Sequence, residues 1–177
     1  RDPRPGVAEP PELRARLDRQ ALLAQLGHAA VWGASPLDLM QQAVRGVAAA
    51  LGTDLCEVLE LDESGRAFTV RAVEGRAIPV GAVVNAGTES QAGYTLATGG
   101  AVVVDDLAAE KRFRVPETLA AAGCASGLSV VIQGRTRPFG VLGAHTRAQR
   151  RFAPEEVQFL EAVASLLAAA LERSRAD

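Results

Sequence analysis

Cysteine, histidine and lysine are all scarce in this chain of 177 residues. Cysteine occurs only at Cys56 and Cys124, and histidine only at His28 and His145. The two cysteines lack the spacing of a zinc site or a disulfide framework, which favours reduced thiols in a cytoplasmic protein. Lys111 is the only lysine and the formal net charge is -2, so no basic excess indicates nucleic-acid binding.

Long apolar runs are also absent, although 48% of the residues are hydrophobic. No run approaches the ~20 residues that cross a bilayer, so we expect no membrane contact for this segment. The chain likewise lacks a Ser-His-Asp arrangement, a paired-carboxylate motif and a glycine loop for phosphate. The sequence therefore predicts a non-enzymatic domain, long enough to bury a sizeable core without disulfides.

Hydrophobic periodicity predicts long helices at both ends of the chain. Residues 1–10 are proline-rich and are predicted to be a linker, whereas residues 11–34 carry an amphipathic helix. Ser35 followed by Pro36 is a strong start signal for a second helix that stops at Gly52. Pro154 opens the longest predicted helix, whose two apolar stripes exceed what one buried face requires.

Strands and two short helices are predicted between these long helices. The short helices begin near Thr88 and Pro116. The predicted strands comprise a first hairpin, a single strand and a central antiparallel hairpin: residues 55–61 and 67–73, residues 101–104, and residues 128–132 and 139–146. This order predicts an α+β fold around an antiparallel sheet of about five to six strands.

Small residues mark the second strand of the central hairpin. Gly140, Gly143 and Ala144 offer almost no side-chain volume. Such positions bring a helix, a neighbouring backbone or a ligand close to a strand. We favour close helix packing at all three.

The order of elements and several short motifs resemble the GAF domain family, a small-molecule-sensing module of bacterial signalling proteins. The matching segments are Ala92-Gly93-Tyr94, residues 102–107, Arg112-Phe113, residues 127–132, residues 139–143 and the start of the last helix. The resemblance covers roughly residues 35–173. It divides the chain into a linker (1–10), an N-terminal signalling helix (11–34) and a GAF domain with a long exit helix (35–177).

The resemblance implies a sheet with the N- and C-terminal helices on one face and a pocket enclosed by short helices on the other. The implied ligand-binding candidates are Tyr94, Asp105, Asp106, Phe113, Leu119 and Ser129. Structural roles compete with ligand binding at several of them. The two aspartates can cap the following turn or pair with Arg112, which we favour. The hydroxyls of Tyr94 and Ser129 need only a local partner.

The cofactors and substrates known in the resembling family fit these residues poorly. Members that bind cyclic nucleotides carry an asparagine and a second acid that the segment around Lys111 and Phe113 lacks. Bilin-binding members attach the chromophore through a cysteine often followed by histidine, but Cys124 precedes Ala125. The two histidines are not placed as haem ligands, and the cysteines do not form the cluster of a GAF reductase for free methionine sulfoxide. The cofactor is therefore left unknown, without a haem, bilin or metal signature.

We predict a small-molecule-sensing or signal-transmitting domain of a larger bacterial protein of the histidine kinase or diguanylate cyclase/phosphodiesterase type. The output domain is expected elsewhere in the parent chain, in the cytoplasm. The alternatives are a ligand-free structural dimerisation module and a small GAF-type reductase. Excess apolar surface on the terminal helices predicts a homodimer. The candidate interface residues are Leu13, Leu17, Leu160, Leu167 and Leu171.

Overall fold

The computed structural model describes residues 9–75 and 78–176, so most of the predicted linker lies outside the described residues. The helices are α1 (Pro11–Val31), α2 (Pro36–Leu51), α3 (Gln91–Thr98), α4 (Glu117–Ala121) and α5 (Pro154–Ala176). The strands are β1 (Leu55–Leu61), β2 (Ala67–Glu74), β3 (Val83–Asn85), β4 (Val102–Val104), β5 (Ser126–Ile132) and β6 (Gly140–Thr146).

The strands form one six-stranded antiparallel sheet in the order β3-β2-β1-β6-β5-β4. The α+β class and both predicted hairpins are confirmed. β1 and β6 occupy the centre, where Glu57 pairs with Gly143 and Leu55 pairs with His145. Alternate residues of these two strands therefore face opposite layers of the molecule.

The long helices α1, α2 and α5 cover one face of the sheet. Ser35 caps α2 by accepting a hydrogen bond from the Asp38 backbone N–H at 3.2 Å, and Gly52 ends the helix with a φ of 66°. These are the start and stop signals that the sequence predicts. Leu142 and Ala144 of β6 are fully buried under this helix layer. Within the described residues, no helix is long and apolar enough to cross a bilayer.

The exit helix α5 packs most of its apolar residues into the core of the same chain. Leu160 and Leu167 are 0% exposed and Leu171 is 6% exposed, so these three residues belong to the intramolecular core. This corrects the prediction that places them in a dimer interface. α5 packs against β5, α2 and α1 of its own chain, and Leu22 and Leu26 of α1 belong to the same core cluster as these leucines. Leu13 and Leu17 of α1 remain 43% and 42% exposed.

Two of the small residues in β6 do not serve helix packing. A Cβ atom at Gly140 would lie 1.7 Å from the Leu59 carbonyl oxygen, so the close neighbour is strand backbone. Gly143 pairs with Glu57 and faces the sheet side opposite the long helices. The helix-packing interpretation is therefore wrong for both glycines, whereas Ala144 does face the helix layer.

Candidate functional site

A small cavity lies between the second face of the sheet and the short helices α3 and α4. Its volume is about 30 Å³, enough for about one or two water molecules. The described conformation therefore has little room for a ligand. The lining residues are Glu57, Leu59, Ile78, Val84, Ser90, Gln91, Ala92, Pro116, Thr118, Leu119, Ser129, Val141, Gly143 and His145.

Helix α3 brings polar side chains to the cavity because its first turn is fixed by local contacts. The Gly93 backbone N–H donates to Ser90 Oγ at 3.0 Å, which caps the helix. A Cβ atom at Gly93 would lie 1.9 Å from the Gly87 carbonyl oxygen, so the preceding loop touches the helix backbone. This anchoring points Gln91 and Thr95, one helical turn apart, toward the sheet.

Four buried polar side chains form a hydrogen-bonded cluster between α3 and the sheet. Gln91 Nε2 donates to Ser129 Oγ at 3.1 Å, and the hydroxyls of Ser129 and Thr95 are 2.7 Å apart. Thr95 Oγ1 also donates to the Gln91 carbonyl oxygen at 2.8 Å. His145 Nε2 lies 2.9 Å from Gln91 Oε1. All four residues are at most 2% exposed.

The imidazole of His145 occupies the space over a glycine in the neighbouring strand. Gly127 pairs with His145 in the β5–β6 register. A Cβ atom at Gly127 would lie 2.4 Å from His145 Cδ2. Any larger residue at this position would displace the ring, so Gly127 fixes where the imidazole lies.

Burial shifts the two titratable groups of the cavity in opposite directions. Loss of solvent lowers the pKa of His145 to about 4, which leaves the ring neutral at neutral pH. Loss of solvent also raises the pKa of Glu57 to about 7. His145 Nδ1 is buried and makes no hydrogen bond with the described residues. The cavity thus contains an acid that ionises near neutrality and an imidazole nitrogen without a partner.

The ligand-binding candidates predicted from the sequence divide into two groups. Leu119 and Ser129 line the cavity. Tyr94 and Phe113 do not, because their rings pack together with centroids 5.7 Å apart in a separate cluster beside β4. The two aspartates also lie outside the lining.

Local interactions account for the two aspartates. Asp106 Oδ1 accepts a hydrogen bond from the Ala108 backbone N–H at 3.1 Å, which confirms its capping role. Asp105 lies 3.6 Å from the exposed guanidinium of Arg151. Arg112, the partner predicted for these aspartates, pairs with Glu110 instead at 2.8 Å.

Sequence reasoning missed three cavity residues, Glu57, Gln91 and His145, and also Thr95 of the adjoining polar cluster. The position of His145 at the end of a strand favours a structural interpretation, but its spacing from Val141 and Gly143 places it on the same strand face as these cavity residues. Glu57 lies between Leu55 and Leu59 on the same face of β1. An acid on an otherwise apolar strand face indicates a functional site. Gln91 and Thr95 have the spacing of one helix face.

The two cysteines are free thiols, and neither lines the cavity. Cys56 lies in the core on the long-helix side of the sheet, and burial raises the pKa of its thiol well above the ordinary value. Burial also raises the pKa of Cys124 to about 11. In residues 9–75 and 78–176, no three His, Cys, Asp or Glu side chains come together as a candidate metal site.

Residues 35–173 match the sequence profile of the GAF domain family. A search of curated proteins finds no match. The structure is similar to free methionine-R-sulfoxide reductase from Neisseria meningitidis in complex with its substrate, at 20% identity and a TM-score of 0.79, covering 96% of this chain and 95% of that chain. The GAF domain of a phosphoenolpyruvate-protein phosphotransferase from Coxiella burnetii gives 19% identity, a TM-score of 0.79 and coverages of 90% and 96%.

A third similar structure is the phycocyanobilin-bound GAF domain of a cyanobacterial phytochrome, at 20% identity and a TM-score of 0.74, covering 89% of this chain and 96% of that chain. These three proteins share one architecture, although one is a reductase, one is a domain of a phosphotransferase and one binds phycocyanobilin. At such low identity, the similarity establishes the fold and leaves the ligand to be argued from the cavity itself.

Proposed function

The chain belongs to the GAF domain family, and we propose that it senses a small molecule in the cavity under α3 and α4. GAF domains are commonly sensory or regulatory, and the similar structures from the phytochrome and the reductase are a chromophore complex and a substrate complex. We propose that this domain regulates a cytoplasmic signalling protein whose output domain is of the histidine kinase or diguanylate cyclase/phosphodiesterase type.

The observation that carries this proposal is the polar cluster with its unpaired His145 Nδ1. Burying a polar group without a partner costs about 1–3 kcal/mol. Apolar side chains would fill the same space without that cost. A ligand that hydrogen-bonds to the open nitrogen would recover the lost free energy, so the cluster suits a site that is completed by binding.

The connection between β6 and α5 supplies a route from the cavity to the exit helix. His145 is in the cavity, and the chain passes from it through Arg150 into α5. Arg150 donates to the Leu51 carbonyl oxygen at 2.7 Å and forms an ion pair with Glu156 in the first turn of α5. Any shift of β6 on binding would therefore act directly on the start of this helix.

We propose in addition that the domain forms a homodimer through α1. Leu13 and Leu17 are one helical turn apart on the same side of the helix and stay exposed after α1 has packed against α2 and α5. Dimerisation would place two exit helices side by side. A change in either domain would then be passed to paired output domains.

One observation favours a ligand-free structural module as the second candidate. The cavity volume of about 30 Å³ admits water but no typical metabolite unless the α3 and α4 side moves. A reductase is less well supported, because both thiols lie outside the cavity lining and their raised pKa values disfavour the thiolate.

The test is native mass spectrometry of the purified domain, followed by thermal shift with a metabolite library. Gly143→Leu is the blocking variant, because a Cβ atom there has normal contacts at 3.6 Å or more and the rest of the side chain would fill the cavity. Ala121→Leu adds bulk on the exposed side of α4 as the control. A ligand seen with wild type and Ala121→Leu, but lost in Gly143→Leu, supports sensing. If no compound is retained or raises the melting temperature of wild type, the structural module is correct.

A further inference from the structure

The hydrogen-bond directions in the buried cluster follow from the Thr95 hydroxyl, whose hydrogen is already used in one hydrogen bond. The Thr95 hydroxyl has a single hydrogen, and it points to the Gln91 carbonyl oxygen at 2.8 Å. The 2.7 Å contact between Thr95 and Ser129 must therefore use the Ser129 hydrogen. Ser129 Oγ is then left to accept, which matches donation from Gln91 Nε2 at 3.1 Å.

This order fixes the tautomer of His145. Because the Gln91 amide nitrogen faces Ser129, its oxygen faces His145 Nε2 at 2.9 Å. An amide oxygen can only accept, so Nε2 carries the hydrogen and Nδ1 has a bare lone pair. The buried Nδ1 has no donor among the described residues.

Glu57 provides a second acceptor beside the same space. A Cβ atom at Gly143 would lie 3.6 Å from His145 Cε1 and 3.8 Å from Glu57 Oε1, so the absent side chain leaves a gap that both groups border. Among the described residues that line the cavity, none carries a positive charge. Within the described lining, the polar end of the cavity therefore offers two acceptors and no cation.

We propose that the ligand of this cavity presents a cationic, hydrogen-bond-donating group, an ammonium or amidinium, to the Glu57 carboxylate and to His145 Nδ1. The rest of the ligand contacts the apolar wall formed by Leu59, Val84 and Val141. This inference rests on the proposed sensing function and adds the class of molecule that is sensed. An anion is disfavoured because it would face a carboxylate and a bare lone pair.

The test compares acetamidinium, acetamide and acetate, which share one planar shape and differ in charge and in donors. Titrations are followed by NMR at pH 8, where Glu57 is ionised and His145 is neutral, using the Nδ1 and Cε1 signals of His145. A charge-assisted hydrogen bond predicts that acetamidinium binds about 10- to 100-fold more tightly than acetamide. Acetate is expected to bind most weakly. Binding of acetamidinium should also move the Nδ1 resonance away from the position of a free imine nitrogen.

Two matched variants identify the carboxylate. Glu57→Gln keeps the size of the side chain and should remove the preference for acetamidinium over acetamide. Glu60→Gln lies on the same strand, and its carboxylate pairs with Arg71 and Arg175 away from the cavity lining. It should leave the preference unchanged. If Glu57→Gln keeps the preference, or if Glu60→Gln loses it, the assignment of Glu57 is wrong.

The outcomes separate this inference from the proposed function. If the library yields a ligand that Gly143→Leu excludes, but acetate or acetamide binds as tightly as acetamidinium, sensing stands and the cationic class is overturned. The cationic class is also overturned if a ligand is found and none of the three molecules binds. If wild type binds neither the three molecules nor any library compound, both proposals fall together.

Discussion

Glu57 and His145 respond differently to pH because their low exposure to water disfavours the charged form of both an acid and a base. Burial raises the pKa of Glu57 to about 7 and lowers the pKa of His145 to about 4. At physiological pH the imidazole is therefore neutral, whereas the carboxyl group is close to its midpoint. A bound cation would favour the ionised carboxylate, so binding and deprotonation of Glu57 are coupled.

We predict that Glu57→Gln stabilises the ligand-free domain at pH 8 and has little effect at pH 5. The folded pKa of Glu57 is raised to about 7, so the folded carboxyl is protonated and neutral at pH 5 but carries a desolvated charge at pH 8. The stability contribution of the protonated form is full below the unfolded pKa and disappears as pH rises through the folded value. The gain at pH 8 should be about 1–3 kcal/mol.

The comparison uses thermal or urea unfolding of wild type, Glu57→Gln and Glu60→Gln at both pH values. His145 is present in all three proteins, so its titration contributes equally to each free energy of unfolding and cancels in the differences between them. The nearby thiols of Cys56 and Cys124 have raised pKa values and stay protonated in this range. A Glu57→Gln protein with the same difference from wild type at pH 5 and pH 8 would show that Glu57 is not desolvated.

The exit helix α5 is held by the core of its own domain. We predict that Leu167→Ala lowers the free energy of unfolding by about 2–5 kcal/mol, because a fully buried leucine leaves a cavity when truncated. Urea unfolding measures this change. Leu37→Ala is the control on α2, where the side chain is 55% exposed, and it should cost no more than about 0.5 kcal/mol.

Sedimentation of Leu167→Ala tests the alternative that Leu167 lies in a dimer interface. The variant should have the same association state as wild type under conditions where both remain folded. Dissociation without loss of stability would instead return Leu167 to an intermolecular interface.

The exposed side of α1 is the surface through which we propose that two copies of the chain associate. Replacing Leu13 and Leu17 together by glutamate should shift wild-type dimers to monomers, because burial of unpaired charges opposes association. Replacing the exposed Gln25 by glutamate adds charge to a different side of α1 as the control and should leave the dimer intact. Sedimentation equilibrium at micromolar concentrations gives the answer. A wild-type chain that is already monomeric would refute dimerisation through α1.

Short-range signals in the sequence predicted the order and type of nearly all elements. The Ser35 cap, the glycine stops and the alternation in β1 and β2 depend on residues close together in the chain, and local sterics and hydrogen bonding determine them. The motifs between residues 35 and 173 also indicated the family. The sequence alone therefore determined the α+β architecture and which two helices would enclose a pocket.

Only the tertiary structure decided which side chains share a site and which surfaces remain free. Gln91 meets Ser129 across 38 residues and His145 across 54 residues, and these contacts depend on how α3 docks on paired strands. The burial of Leu167 depends likewise on how α5 packs against β5, α2 and α1. Local periodicity shows that a stripe is apolar, but the partner that covers it is set by packing between distant segments, where the competing arrangements differ only in tertiary contacts.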